Sequence, residues 1–201
     1  MRLDDALDQL RAIHAQVLRS EVYRGYRALP TAATGLMAIG AAVLQTTWAP
    51  PADVAEFATF WIVVAAIAAA TAAGDLLIRA IRHDDRLRRR QTAAALAQLA
   101  PALAIGAAAT PVMLAMPAPA ATLLPALWAL WFALALFASR PFLPRRMGFV
   151  AAFYAVAGFL LLTPGLREPL PAPFGMGMTF GIGQLAAALV LHLDLERNDA
   201  R

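Results

Sequence analysis

Charge is sharply segregated along this 201-residue chain. Uncharged, mainly apolar runs extend over Ala28 to Ala52, Phe57 to Gly74, Gln91 to Ser139, Met147 to Leu166 and Pro169 to Leu193. A helix that crosses a bilayer needs roughly 20 mainly apolar residues, so each run holds at least one span. The third run would form a helix more than twice the hydrocarbon thickness at about 1.5 Å per residue. Met116-Pro117-Ala118-Pro119 marks its fold-back, because proline ends helices. Six spans are predicted, near 29–47, 57–78, 93–115, 121–138, 147–163 and 174–193. Three proline-bearing connections, Trp48 to Pro51, Met116 to Pro119 and Thr163 to Pro173, read as tight turns, and the spans then form three helical hairpins in series. The fold class is all-α: a polytopic membrane protein with a helical bundle over 29–193, an amphipathic cytoplasmic segment over 1–28 and a short tail over 194–201.

The connections alternate in charge. Sixteen of the seventeen basic residues, all arginine, lie on one side: Arg2 to Arg27, Arg79 to Arg90, Arg140 to Arg146, and Arg197 with Arg201. Arg167 alone lies on the other. Cytoplasmic loops retain Lys and Arg, which predicts both termini in the cytoplasm, as for a multi-pass protein of a cell (inner) membrane. The positive-inside pattern accounts for the net charge of +4, so no nucleic-acid partner is expected. With no cysteine there is no disulfide, thiolate nucleophile or cysteine metal site.

Within residues 1–28, Leu3, Leu7, Leu10, His14 and Val17 recur at alternating spacings of four and three, giving one apolar helix face. Such a helix lies on the membrane surface or docks a protein partner. Tyr23-Arg24-Gly25-Tyr26-Arg27 follows and supplies aromatic and cationic anchors at the bilayer interface.

Asp75 is embedded in the second span, with Arg79 four positions later on the same helical face. An ion pair is expected there. An embedded carboxylate also marks proton or cation pathways. Gln45, Gln98, Gln184 and His192 are further embedded polar groups, of the kind that hydrogen-bond between helices. Pro101 and Pro111 lie in the third span and predict a kink or local opening. Gly177 and Gly181 form a GxxxG pair that permits close backbone approach, within the bundle or across a homo-oligomer interface. His192, Asp194 and Glu196 have no second histidine spaced for a metal. His14, His83 and His192 have no serine partner at a recognisable spacing, and Asp84-Asp85 sits among arginines that neutralise it. No catalytic constellation, metal site or cofactor is therefore expected.

Leu124-Pro125-Ala126-Leu127-Trp128 through Ser139-Arg140-Pro141, then Met147-Gly148 and the glycine-rich sixth span ending at His192, resemble a family of small bacterial six-helix membrane proteins. That family shows a Leu-Pro-x-x-Trp start to span four and a Gly-Phe-Gly-x-x-His stretch. Here Phe180-Gly181-Ile182-Gly183-Gln184 stands where a histidine would be expected. The resemblance implies the topology and genes encoded near winged-helix regulators, and it implies no activity. The leading functional expectation is a non-enzymatic accessory module whose partners are the lipid bilayer and a protein bound through residues 1–28, or a second copy. The rival is a small-solute or proton-coupled transporter using Asp75, Gln98 and the third span. A membrane enzyme acting on lipids would need a clustered acid, base or metal that the chain does not assemble.

Overall fold

The computed structural model describes residues 28–82, 86–116, 121–163 and 172–196. All regular structure among them is helical: α1 (Ala28–Thr47), α2 (Val54–Arg82), α3 (Arg86–Leu114), α4 (Leu124–Ala138), α5 (Met147–Leu162) and α6 (Ala172–Leu191). A single 3-10 turn, Arg140–Phe142, follows α4, and a π turn, His192–Glu196, closes α6. The amphipathic segment expected over 1–28 lies outside the described residues except for Ala28, and so does most of the tail.

Local chemistry sets the helix starts. Pro30, Pro125 and Pro173 each stand in a first turn, where the missing N–H costs no hydrogen bond. At the start of α2, the Glu56 backbone N–H donates to the Asp53 carboxylate and the Ala52 N–H donates to the Glu56 carboxylate, both at 2.8 Å. This reciprocal cap satisfies donors that the helix leaves open. The third helix, α3, runs unbroken through Pro101 and Pro111.

Four helices are long and apolar enough to cross a membrane: α1, α2, α3 and α6. At 29 residues each, α2 and α3 reach about 43 Å and outrun a hydrocarbon core of about 30 Å. The arginine-rich ends assigned to a loop by charge are thus helical up to Arg82 and again from Arg86. By contrast, α4 and α5 have only 15 and 16 residues, roughly 22–24 Å. They are joined by a tight turn in which Leu143 and Pro144 are buried.

Neighbours in the packing follow the order α2, α1, α6, α5, α4, α3. The most extensive interface joins the first and last helices, α1 and α6, while α2 and α3 barely touch. Half of the apolar window of α6 is buried, against 11% for α3, so α6 is the central helix and α3 a peripheral one. Two apolar clusters fill the interior. One gathers Ala38, Ala41, Ala42, Phe57, Trp61 and Met176; the other gathers Leu136, Met147, Val150, Tyr154 and Ala187. Phe180 packs against both and makes the core continuous.

Candidate functional site

The α1–α6 seam is built from small residues. A methyl group on Gly177 would run into the Ala42 side chain and come within 3.0 Å of the Ala38 carbonyl. One on Gly181 would run into Ile39. On the facing helix, a methyl group on Gly35 would lie 3.0 Å from the Gly181 carbonyl and 3.1 Å from Gln184 Cβ. Gly177, Gly181 and Gln184 are spaced by four and three, so they share one stripe. That stripe lies against Gly35, Ala38, Ile39 and Ala42. In a medium where burial from water supplies little drive, such close contact is what associates helices.

Toward the end where α1 finishes and α2 begins, two tryptophans bridge helices. Trp61 Nε1 donates to Gln45 Oε1 at 2.7 Å, and both residues are buried. Trp128 Nε1 donates to Thr110 Oγ1 at 2.9 Å, and Thr110 donates in turn to the Gly106 carbonyl at 2.8 Å. Phe57 and Phe60 lie 6.3 and 6.0 Å from the Trp61 ring. An unpaired amide or indole N–H would be costly in an apolar interior, and these bonds remove that cost.

Deeper in the bundle, Tyr154 is fully buried with its ring seated on Gly183. Phe132, Phe180 and Phe153 surround it at centroid distances of 4.8, 5.3 and 5.7 Å, all tilted or edge-on. These arrangements suit the ring quadrupoles. Its hydroxyl donates to the Phe180 carbonyl over 3.4 Å.

The other predicted site residues scatter. Gln98 is exposed on α3, Asp75 is half-buried on α2, and His192 is exposed at the end of α6. The Arg79 side chain lies outside the described residues, so the expected pair with Asp75 does too. Among the described residues no group of three His, Asp or Glu side chains comes together. The ion pair the sequence reading missed joins Arg146 to Asp194 at 3.2 Å, tying the start of α5 to the end of α6. It is open to solvent, where such pairs contribute about 1 kcal/mol or less. Thr110 and Tyr154 were also missed. A lone hydroxyl inside an apolar run carries no spacing signal.

Chemically, the arrangement holds helices together. The interior polar groups of Gln45, Trp61, Thr110, Trp128 and Tyr154 bond to one another or to backbone. Comparison with protein-family models, curated proteins and solved structures finds no match in any of the three.

Proposed function

We propose that this chain is a six-span protein of a bacterial inner membrane, inserted as three hairpins with both termini in the cytoplasm, and that it acts as a non-enzymatic accessory or partner-binding module. Four helices of spanning length and composition support membrane embedding directly. The two shorter ones complete the set if the bilayer thins around α4 and α5, which costs fractions of a kcal/mol per Å of mismatch. The arginine alternation supports the orientation. The resemblance of the carboxy-terminal half to small bacterial six-helix membrane proteins supports the same class.

The observation that carries the functional reading is the character of the interior. Buried polar side chains among those described are Gln45, Thr110, Ser139 and Thr179, together with the Tyr154 hydroxyl, and none of them is a carboxylate, an imidazole or a cation. A path for a hydrated solute or a proton would line the midplane with water-accessible polar groups. The aromatic packing around Tyr154 and Trp61 instead favours a static scaffold. Partner binding is assigned to the apolar face of residues 1–28 by its amphipathic pattern alone.

The test compares proteins recovered in gentle detergent by the full-length chain, by a chain lacking residues 1–20, and by a Leu7→Asp, Leu10→Asp variant. Both altered chains are expected to lose the same specific companion. Identical recovery from all three would remove the docking role. A solute or proton flux in liposomes, abolished by Asp75→Ala in a fully stable protein, would instead establish the transporter.

A further inference from the structure

Three arginines, Arg140, Arg145 and Arg146, crowd the turn between α4 and α5, and all three are exposed. Arg146 is held by Asp194. Among the described residues, the side chains of Arg140 and Arg145 have no hydrogen-bond or ion-pair partner. The Arg140 guanidinium lies over the first turn of α5, where a methyl group built on Gly148 would sit 3.6 Å from its central carbon. A cation is thus parked at the positive end of a helix dipole, where it is disfavoured. Among the described residues, Asp194 is the carboxylate paired with this cluster. The turn itself is firmly built. Backbone N–H groups of Phe142, Leu143, Met147 and Gly148 donate to carbonyls of Ser139, Arg140, Pro144 and Arg145 at 2.9–3.2 Å, so the arginine stems leave a fixed frame. In the same turn the buried Ser139 hydroxyl has no partner, although buried polar groups are normally satisfied.

Depth distinguishes this cluster from the other arginines. Those between α2 and α3 ride on helices that outrun the hydrocarbon core, whereas Arg140 and Arg145 flank helices of 15 and 16 residues. On the proposed six-span topology, a turn on helices this short is drawn toward the hydrocarbon edge, within reach of the headgroup phosphates. Leu134, Phe137 and Phe149, within about two turns of it along the helices, are exposed at 59%, 39% and 79%. An anion resting on the arginines therefore has hydrocarbon immediately beside it. We propose that the α4–α5 turn binds the phosphate of an anionic membrane lipid through Arg140 and Arg145, with the acyl chains along these apolar side chains. Guanidinium offers paired donors that match phosphate oxygens.

The test titrates dilauroyl phosphatidylglycerol into the detergent-purified full chain and follows the thermal midpoint. A saturable rise is expected, with no rise from phosphatidylcholine of the same chain length or from inorganic phosphate. Arg140→Gln with Arg145→Gln should weaken the apparent affinity about thirtyfold, from roughly fivefold per arginine near a membrane surface. Arg145→Gln alone, at a side chain with no partner among the described residues, should weaken it about fivefold and serves if the double variant folds poorly. Arg197→Gln with Arg201→Gln, in the tail, should change it less than about twofold. Equal loss from the tail variant would mean net charge alone, and an equal response to phosphatidylcholine would mean no phosphate-charge recognition. A matching rise with inorganic phosphate would mean a free-phosphate site. Each of these outcomes overturns the proposal. None depends on residues 1–28, so failure here and failure of the docking role remain separable.

Discussion

Replacing Gly177 with alanine should destabilise the bundle by about 1–3 kcal/mol, the cost of forcing a methyl into a filled space, and adding Ala42→Gly should return most of that loss. The new Cβ would collide with the Ala42 side chain, and a methyl cannot rotate out of the way. Removing the Ala42 methyl empties the same volume. The Ala38 carbonyl at 3.0 Å stays in place, so recovery should be incomplete. Gly181→Ala meets the Ile39 side chain instead. That chain has other rotamers, and a smaller loss is expected. Gly40→Ala, with open space around its Cβ, should be close to neutral and separates steric conflict from any general effect of removing glycine. Unfolding of the four single variants and the Gly177→Ala, Ala42→Gly double, by heat or denaturing detergent, reads all of these. The coupling between Gly177 and Ala42 should exceed about 0.5 kcal/mol, as is usual for residues in contact. Strict additivity would mean that α1 and α6 do not meet through this stripe.

A comparably large effect is expected at Tyr154. Its truncation to alanine should cost about 3–5 kcal/mol, the range for emptying a large aromatic site, because the ring contacts Phe132, Phe153 and Phe180 and nothing nearby can refill the space. Tyr154→Phe should cost well under 1 kcal/mol. The hydroxyl's bond to the Phe180 carbonyl spans 3.4 Å, far beyond the usual 2.7–2.8 Å for an O–H donor. A loss from Tyr154→Phe as large as that from the alanine variant would reverse this assignment. The polar bond, and not the packed ring, would then hold α5 to α6.

Much of the architecture is legible in the sequence because membrane insertion reduces a three-dimensional problem to runs of apolar residues. All six helices lie where those runs lie, separated by the proline-bearing segments and, between α2 and α3, by a charged stretch. Their ends were less legible. Arginine is a good helix former, and a helix that leaves the hydrocarbon can continue into water without penalty, so α2 and α3 extend well past their apolar windows. By contrast, the ends of α4 and α5 that face each other, Ala138 and Met147, fall where the charge pattern put them, and α4 is shorter only because it begins at Leu124. The α6 half of the central seam could be read from Gly177 and Gly181. Its α1 half could not, since Gly35, Ala38 and Ala42 sit in an alanine-rich helix with small residues on several faces. A series of hairpins also gives no sign that the strongest contact joins the two ends of the bundle. Gln45 stood out as an embedded amide, but its partner Trp61 follows only from the placement of α2 beside α1. Tyr154 lacks even that clue, being one aromatic residue among many apolar ones.

The central claim, a multi-pass helical bundle with its arginine-rich connections in the cytoplasm, is tested most directly by cysteine accessibility in intact cells. The chain has no cysteine, so each introduced thiol is unique. Ala52→Cys, between α1 and α2, and Ala118→Cys, between α3 and α4, should react with a membrane-impermeant maleimide from outside. Arg88→Cys should react only after the membrane is opened. Labelling of Arg88→Cys from outside, or protection of Ala52→Cys and Ala118→Cys, would contradict the account.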